Sequence, residues 1–157
     1  MLLIAHRGLT DGPNALLENT PEQIHRALRA GYGVEVDLWY RDDQFFLGHD
    51  APVHPCDWQL LTQDRLWIHC KDTATFFRLR HINNGLNFFF HDRDDIVLTS
   101  QGDIWTYLGQ PHTLSAWSIA VMPEMTYDWD EIKQLHDSNA CYAICSDYVN
   151  RIRGWQA

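Results

Sequence analysis

Val34-Glu35-Val36-Asp37-Leu38-Trp39-Tyr40 alternates without a break between aliphatic and other side chains. Successive side chains of a strand leave opposite faces, so Val34, Val36 and Leu38 share one face and Glu35, Asp37 and Trp39 the other. The aliphatic face calls for burial under a neighbouring layer. The other carries two carboxylates close enough to repel unless a cation or a proton joins them. A hard divalent metal suits two oxygen ligands so placed. The plainer reading is the solvent-facing side of an edge strand.

Outward from this strand, the chain alternates strands with helices. Residues 2–5 form a short apolar run suited to a buried strand, followed by a loop with Gly8, Gly12 and Pro13. Thr20 with Pro21 and Gln23 is a helix-start signature; Ile24, Ala27 and Leu28 supply the buried stripe and Gly31 the stop. Downstream, 44–47 and 66–71 read as strands. Asp72 caps a helix carrying Thr75, Phe76, Leu79 and Ile82, which Asn84-Gly85 ends. Four strands follow at 87–91, 96–99, 104–108 and 116–122 with no convincing helix between them. Asp128 with Glu131 opens another helix, 142–146 is a last strand, and 148–155 a short terminal helix. This is the pattern of one α/β domain over 1–157 with a mostly parallel sheet.

Composition narrows the function. The 157 residues suit one domain, and 45% hydrophobic with 21% charged residues is ordinary for a globular chain. Twelve Lys and Arg against twenty-one Asp and Glu give a net charge of −9 with no basic block, which excludes wholesale nucleic-acid binding. No apolar run approaches the ~20 residues of a membrane span. The start meets charge too early for a secretory segment, and the four cysteines form no CxxC pair, so a reducing cytoplasm is expected.

Further residues carry chemistry. His6 and Arg7 end the first strand, and His49-Asp50 follows the extended piece at 44–47. Two such histidines can act as general acid and base, because imidazole titrates near neutral pH. His69 and Lys71 repeat the i, i+2 pattern on another strand, and an inward lysine wants an anion. Glu18-Asn19 either shapes the loop before the first helix or takes part in a site. His91-Asp92 and Trp39 are candidates to line its mouth, whereas His25, His54, His81, His112 and His136 read as surface or packing residues.

Ala5-His6-Arg7-Gly8, Glu18-Asn19-Thr20-Pro21, Val34-Glu35-Val36-Asp37 and Gly48-His49-Asp50 together resemble the glycerophosphodiester phosphodiesterase family. The order and spacing match over about the first fifty residues; beyond residue 71 the match fades, though 144–148 is similar to the family's last strand. The resemblance implies a (β/α) barrel of the triosephosphate isomerase type and metal-assisted cleavage of a small phosphodiester. The attacker there is a neighbouring substrate hydroxyl. It implies His6 and His49 as the acid/base pair, Arg7 and Lys71 as phosphate contacts, and Glu35 and Asp37 as ligands of one divalent ion, Mg or Ca.

Two departures matter. His69 stands where the family carries a third carboxylate, which points to Mn or Zn if His69 ligates, to a replacement ligand in Glu124 or Asp147, or to a catalytically inactive phospho-ligand binding protein. A full barrel also takes about 250 residues. The expected fold is therefore a compressed barrel that has lost several outer helices, the alternative being a smaller open α/β sheet. The helix-poor run from Leu86 to Met125 holds many apolar residues, and the expected cover for its outward half is a second copy of the chain, most simply in a dimer.

Overall fold

In the computed structural model of the chain, which describes residues 1–82 and 85–156, the first helix spans Pro21–Arg29 (α1). Thr20 Oγ1 accepts a hydrogen bond from the Gln23 amide and Pro21 occupies the first turn, as their sequence order requires. Asp72 accepts from the Thr75 amide at the start of Thr73–Ile82 (α3), and Asp128 with Glu131 forms a complete capping box on Trp129–Asp137 (α4). The expected stop at Asn84-Gly85 lies partly outside the described residues. Trp58–Leu61 (α2) and Val149–Arg153 (α5) are short.

Among the described residues, ten strands make one curled sheet. They are Leu2–Ala5 (β1), Gly33–Arg41 (β2), Gln44–Leu47 (β3), His54–Cys56 (β4), Leu66–Cys70 (β5), Phe88–Phe89 (β6), Ile96–Leu98 (β7), Ile104–Tyr107 (β8), Ser118–Val121 (β9) and Ala143–Ser146 (β10). The parallel pairs run β6-β5-β2-β1-β10-β9-β8. β3 and β4 fold back antiparallel on the end of β2, and β7 is antiparallel to β8. Among the described residues no strand pair joins β6 to β7 or β8, so the hydrogen-bonded ladder is open there. Hydrogen bonds tie the two edges at one end. Ser100 exchanges hydrogen bonds with Phe88 at 2.8 and 3.0 Å, and Trp67 and Asn87 both donate to Asp103. The fold is a mixed α/β sheet with few helices.

The curl divides the core into two. Val34, Val36 and Leu38 pack with Ile24, Ala27, Leu28, Ile68 and Leu79 on the helical side. Inside the curl, Ile4, Trp67, Phe89, Trp105, Ile119, Val121 and Cys145 form a second cluster. Gly33 makes room for it, since a Cβ there would stand 2.6 Å from the Trp67 ring. This inner cluster takes up the inward-facing part of the run from Leu86 to Met125. Phe89, Trp105, Ile119 and Val121 belong to that inner cluster, and Phe88 and Leu108 are buried with the helical-side core. The large exposed hydrophobics of that run are Ile96 and Leu98 on β7, Trp117 in the turn before β9, and Met125. The four cysteines are free and buried, and no described helix is long and apolar enough to cross a membrane.

Candidate active site

The carboxyl ends of the parallel strands converge on one cleft, the usual ligand position in parallel α/β sheets. Its floor follows from register. Asp37 on β2 sits opposite His69 on β5, and His69 opposite Phe89 on β6, so the three side chains line one row of the inner face. His69 Nδ1 lies 3.0 Å from Asp37 Oδ1 and 3.9 Å from Glu35 Oε1. Lys71, just past β5, places Nζ 3.1 Å from the same Asp37 oxygen. Asn19 donates to Asp37 Oδ2 and accepts from the Asp37 amide, each at 2.9 Å. Glu35 and Asp37 are 2% and 1% exposed, which rules out the solvent-facing reading of their strand.

His6-Arg7-Gly8 forms a 3-10 turn directly after β1, with Arg7 in the left-handed region at φ 51°. A residue with a long side chain adopts that conformation at a cost of order 1–3 kcal/mol. Here it aims the Arg7 amide at Glu35 Oε2 (3.0 Å) and lets the Arg7 carbonyl accept from Asn19. The guanidinium reaches Glu18 at 2.9 Å and Asp37 at 3.2 Å. His6 donates from Nδ1 to Asp147 Oδ1 at 2.9 Å, leaving Nε2 3.9 Å from Glu35 Oε2. Asp147 is in turn held through its amide by Glu124, which also accepts from Ser146 at 2.7 Å.

His49 comes in from the turn that joins β3 to β4. Gly48 at φ 147° makes the bend; a Cβ there would lie 2.1 Å from the Ala51 carbonyl oxygen. Trp39 donates to the Gly48 carbonyl, and Asp50 engages His49 Nδ1 at 2.7 Å. The cleft holds about 290 Å³ and is closed on its far side by His91, Trp105, Tyr107, Val121, Met122 and Met125. A cavity of about 340 Å³ between α3 and the end of β7 is lined, among the described residues, by Arg80 as its one charged group and offers no comparable convergence.

Burial and charge set the protonation states. Burial, and then the neighbouring Asp37 charge, hold the Glu35 carboxyl up at about 7. Burial acts the same way on Asp37 but is outweighed by the His69 hydrogen bond, Lys71 and Arg7, so its carboxyl stays well below the ordinary range. Burial would lower His6, yet the Asp147 hydrogen bond and the Glu35 charge raise it overall. Burial lowers His69 despite Asp37, and lowers His91. The two carboxylates of one strand thus differ because Asp37 is ringed by cations and Glu35 is not.

No family model, curated protein or solved structure matches this chain. The geometry therefore stands by itself. It brings His6, Arg7, Glu35, Asp37, His49 and His69 to one cleft, with Lys71 on Asp37. Glu35, Asp37 and His69 offer ligand atoms all within 4.8 Å of one another, a buried group that could hold a metal ion. Asp147 and Glu124 do not belong to that group; they stand behind His6. The roles of Asn19 as a brace of Asp37 and of Asp147 as the partner of His6 come from the structure. Trp105, Tyr107, Met122 and Met125 carried no sequence signal beyond apolarity.

Proposed function

We propose that the chain is a metal-assisted phosphodiesterase acting on a small glycerophosphodiester-like substrate. The observation that carries the reading is the meeting of two histidines, two cations and a carboxylate–imidazole cluster in one cleft. The strand order supports the finer fold as well. Read around a circle, β1, β2, β5, β6, β8, β9 and β10 follow chain order, as in a (β/α) barrel of the triosephosphate isomerase type, with one position between β6 and β8 lacking a parallel strand. A compressed barrel accounts for both the order and the scarcity of helices.

The donor set fits a divalent ion, with Glu35, Asp37 and His69 as its holders. When bound there, such an ion supplies charge neutralisation to the non-bridging phosphate oxygens. Arg7 and Lys71 share that work from the chain's own side. His6, fixed at Nδ1 by Asp147, has Nε2 available for proton transfer, and His49 offers its own Nε2 from the opposite loop. One takes the proton of the attacking hydroxyl and the other returns one to the departing alkoxide. The inner wall of Trp105 and Phe89 keeps bulk water from the floor.

A second reading, a phospho-ligand binding protein without turnover, is favoured by one feature: Asp37 is already satisfied by Lys71, His69, Asn19 and Arg7. Hydrolysis of bis-p-nitrophenyl phosphate with added Mg²⁺, Ca²⁺, Mn²⁺ or Zn²⁺ separates the two. Turnover that disappears in His6→Ala and in His49→Ala supports the enzyme. Phosphate binding without turnover under every ion supports the binding protein.

A further inference from the structure

We infer that His69 makes this site selective for a late first-row ion of the Zn²⁺ type over Mg²⁺ and Ca²⁺. The inference rests on the metal-assisted reading above and deepens it. Three observations converge on it. First, the ligand group contains two carboxylates and one imidazole. Ca²⁺ asks for six to eight oxygens and Mg²⁺ for near-octahedral oxygen, whereas imidazole suits Zn²⁺, Fe²⁺ and Ni²⁺.

Second, the imidazole is held where a ligand is needed. Its ring lies nearly parallel to those of Phe89 (5.0 Å, 3°) and His91 (4.6 Å, 15°), and Phe89 packs on Trp105 at 4.7 Å. Nδ1 therefore stays between the two carboxylates at 3.0 and 3.9 Å. A ring so packed cannot swing aside to leave an all-oxygen site.

Third, the field that would attract a hard ion is partly spent. Lys71 and Arg7 sit 3.1 and 3.2 Å from Asp37, so one of the two carboxylates already faces two cations. Hard ions depend on that charge for their affinity; a borderline ion keeps the nitrogen bond as well.

Late ions bind most mixed sites more tightly than Mg²⁺, so the change in preference on replacing His69 is the decisive reading. Zn²⁺ and Mg²⁺ are titrated calorimetrically into metal-free wild type, His69→Glu and His69→Gln, with circular dichroism confirming the fold. His69→Glu is expected to lower the ratio of Zn²⁺ to Mg²⁺ affinity about tenfold or more, and His69→Gln to weaken Zn²⁺ by a similar factor. Nitrogen-15 spectra of the wild type give a readout free of mutation: Zn²⁺ should shift the His69 Nδ1 resonance and Mg²⁺ should not. An unmoved resonance, or a ratio unchanged in His69→Glu, overturns the inference. Mg²⁺ binding and supporting turnover as well as Zn²⁺ does would sink this inference alone. Failure of every ion to bind would remove the metal-assisted reading with it.

Discussion

Replacing Glu35 by Gln should stabilise the metal-free protein at pH 8. The carboxyl keeps its proton to about pH 7 in the fold, against an ordinary value of 4.5. A group raised in this way stabilises the fold fully below pH 4.5 and loses that contribution as pH rises through 7. At about 1.4 kcal/mol per pH unit, the loss is about 3 kcal/mol. Gln never ionises and can keep the hydrogen bond from the Arg7 amide. Allowing for the neighbouring Asp37, a gain of about 2–3 kcal/mol is expected at pH 8, or roughly 4–12 °C in a chain of this size. The histidines choose the pH window. His69 and His91, both lowered, add stability as pH rises only up to 6.5; His6, raised, loses it above 6.5. Thermal melts in chelator from pH 6.5 to 8 should therefore fall in wild type and fall less in Glu35→Gln. Equal melting temperatures at pH 8, or a less stable variant, would refute the view of Glu35 as a buried, poorly compensated charge.

Other expectations follow from single contacts. Asp147→Asn should leave the fold intact but lower turnover roughly a hundredfold, because His6 loses the acceptor that fixes its tautomer; steady-state kinetics checks it. Asn19→Ala removes two hydrogen bonds from buried Asp37 and strands its amide, which should cost about 1–3 kcal/mol in a denaturant titration. Gly48→Ala puts a methyl against the Ala51 carbonyl, so the hairpin that carries His49 must shift, and turnover should drop more than substrate binding in a kcat against KM comparison.

Where a feature depends on neighbours in sequence, it was readable in advance. The α1 cap needs only Thr20, Pro21 and Gln23, and the two faces of β2 need only alternation. The candidate site was legible for the same reason, since each of its short motifs is local. What escaped depends on partners far apart. Asp147 meets His6 across 141 positions, and nothing in Ser146-Asp147-Tyr148 announces it. β4 contains Pro55 and spans three residues, and α2 has four, too short for either period to register. Alternation also could not say that the inward half of the run from Leu86 to Met125 faces another wall of the same sheet. That curl, set by strand pairing, is what gathers Phe89, Trp105 and Val121 into one inner core.

Phosphorus-31 spectra of a glycerophosphodiester incubated with the metal-loaded protein test phosphodiester cleavage at this cleft most directly. The diester resonance should decay into a cyclic and then a monoester signal, with both changes absent in His6→Ala and His49→Ala. A diester signal that persists under excess folded protein with every divalent ion, or one that decays equally in both variants, would contradict it.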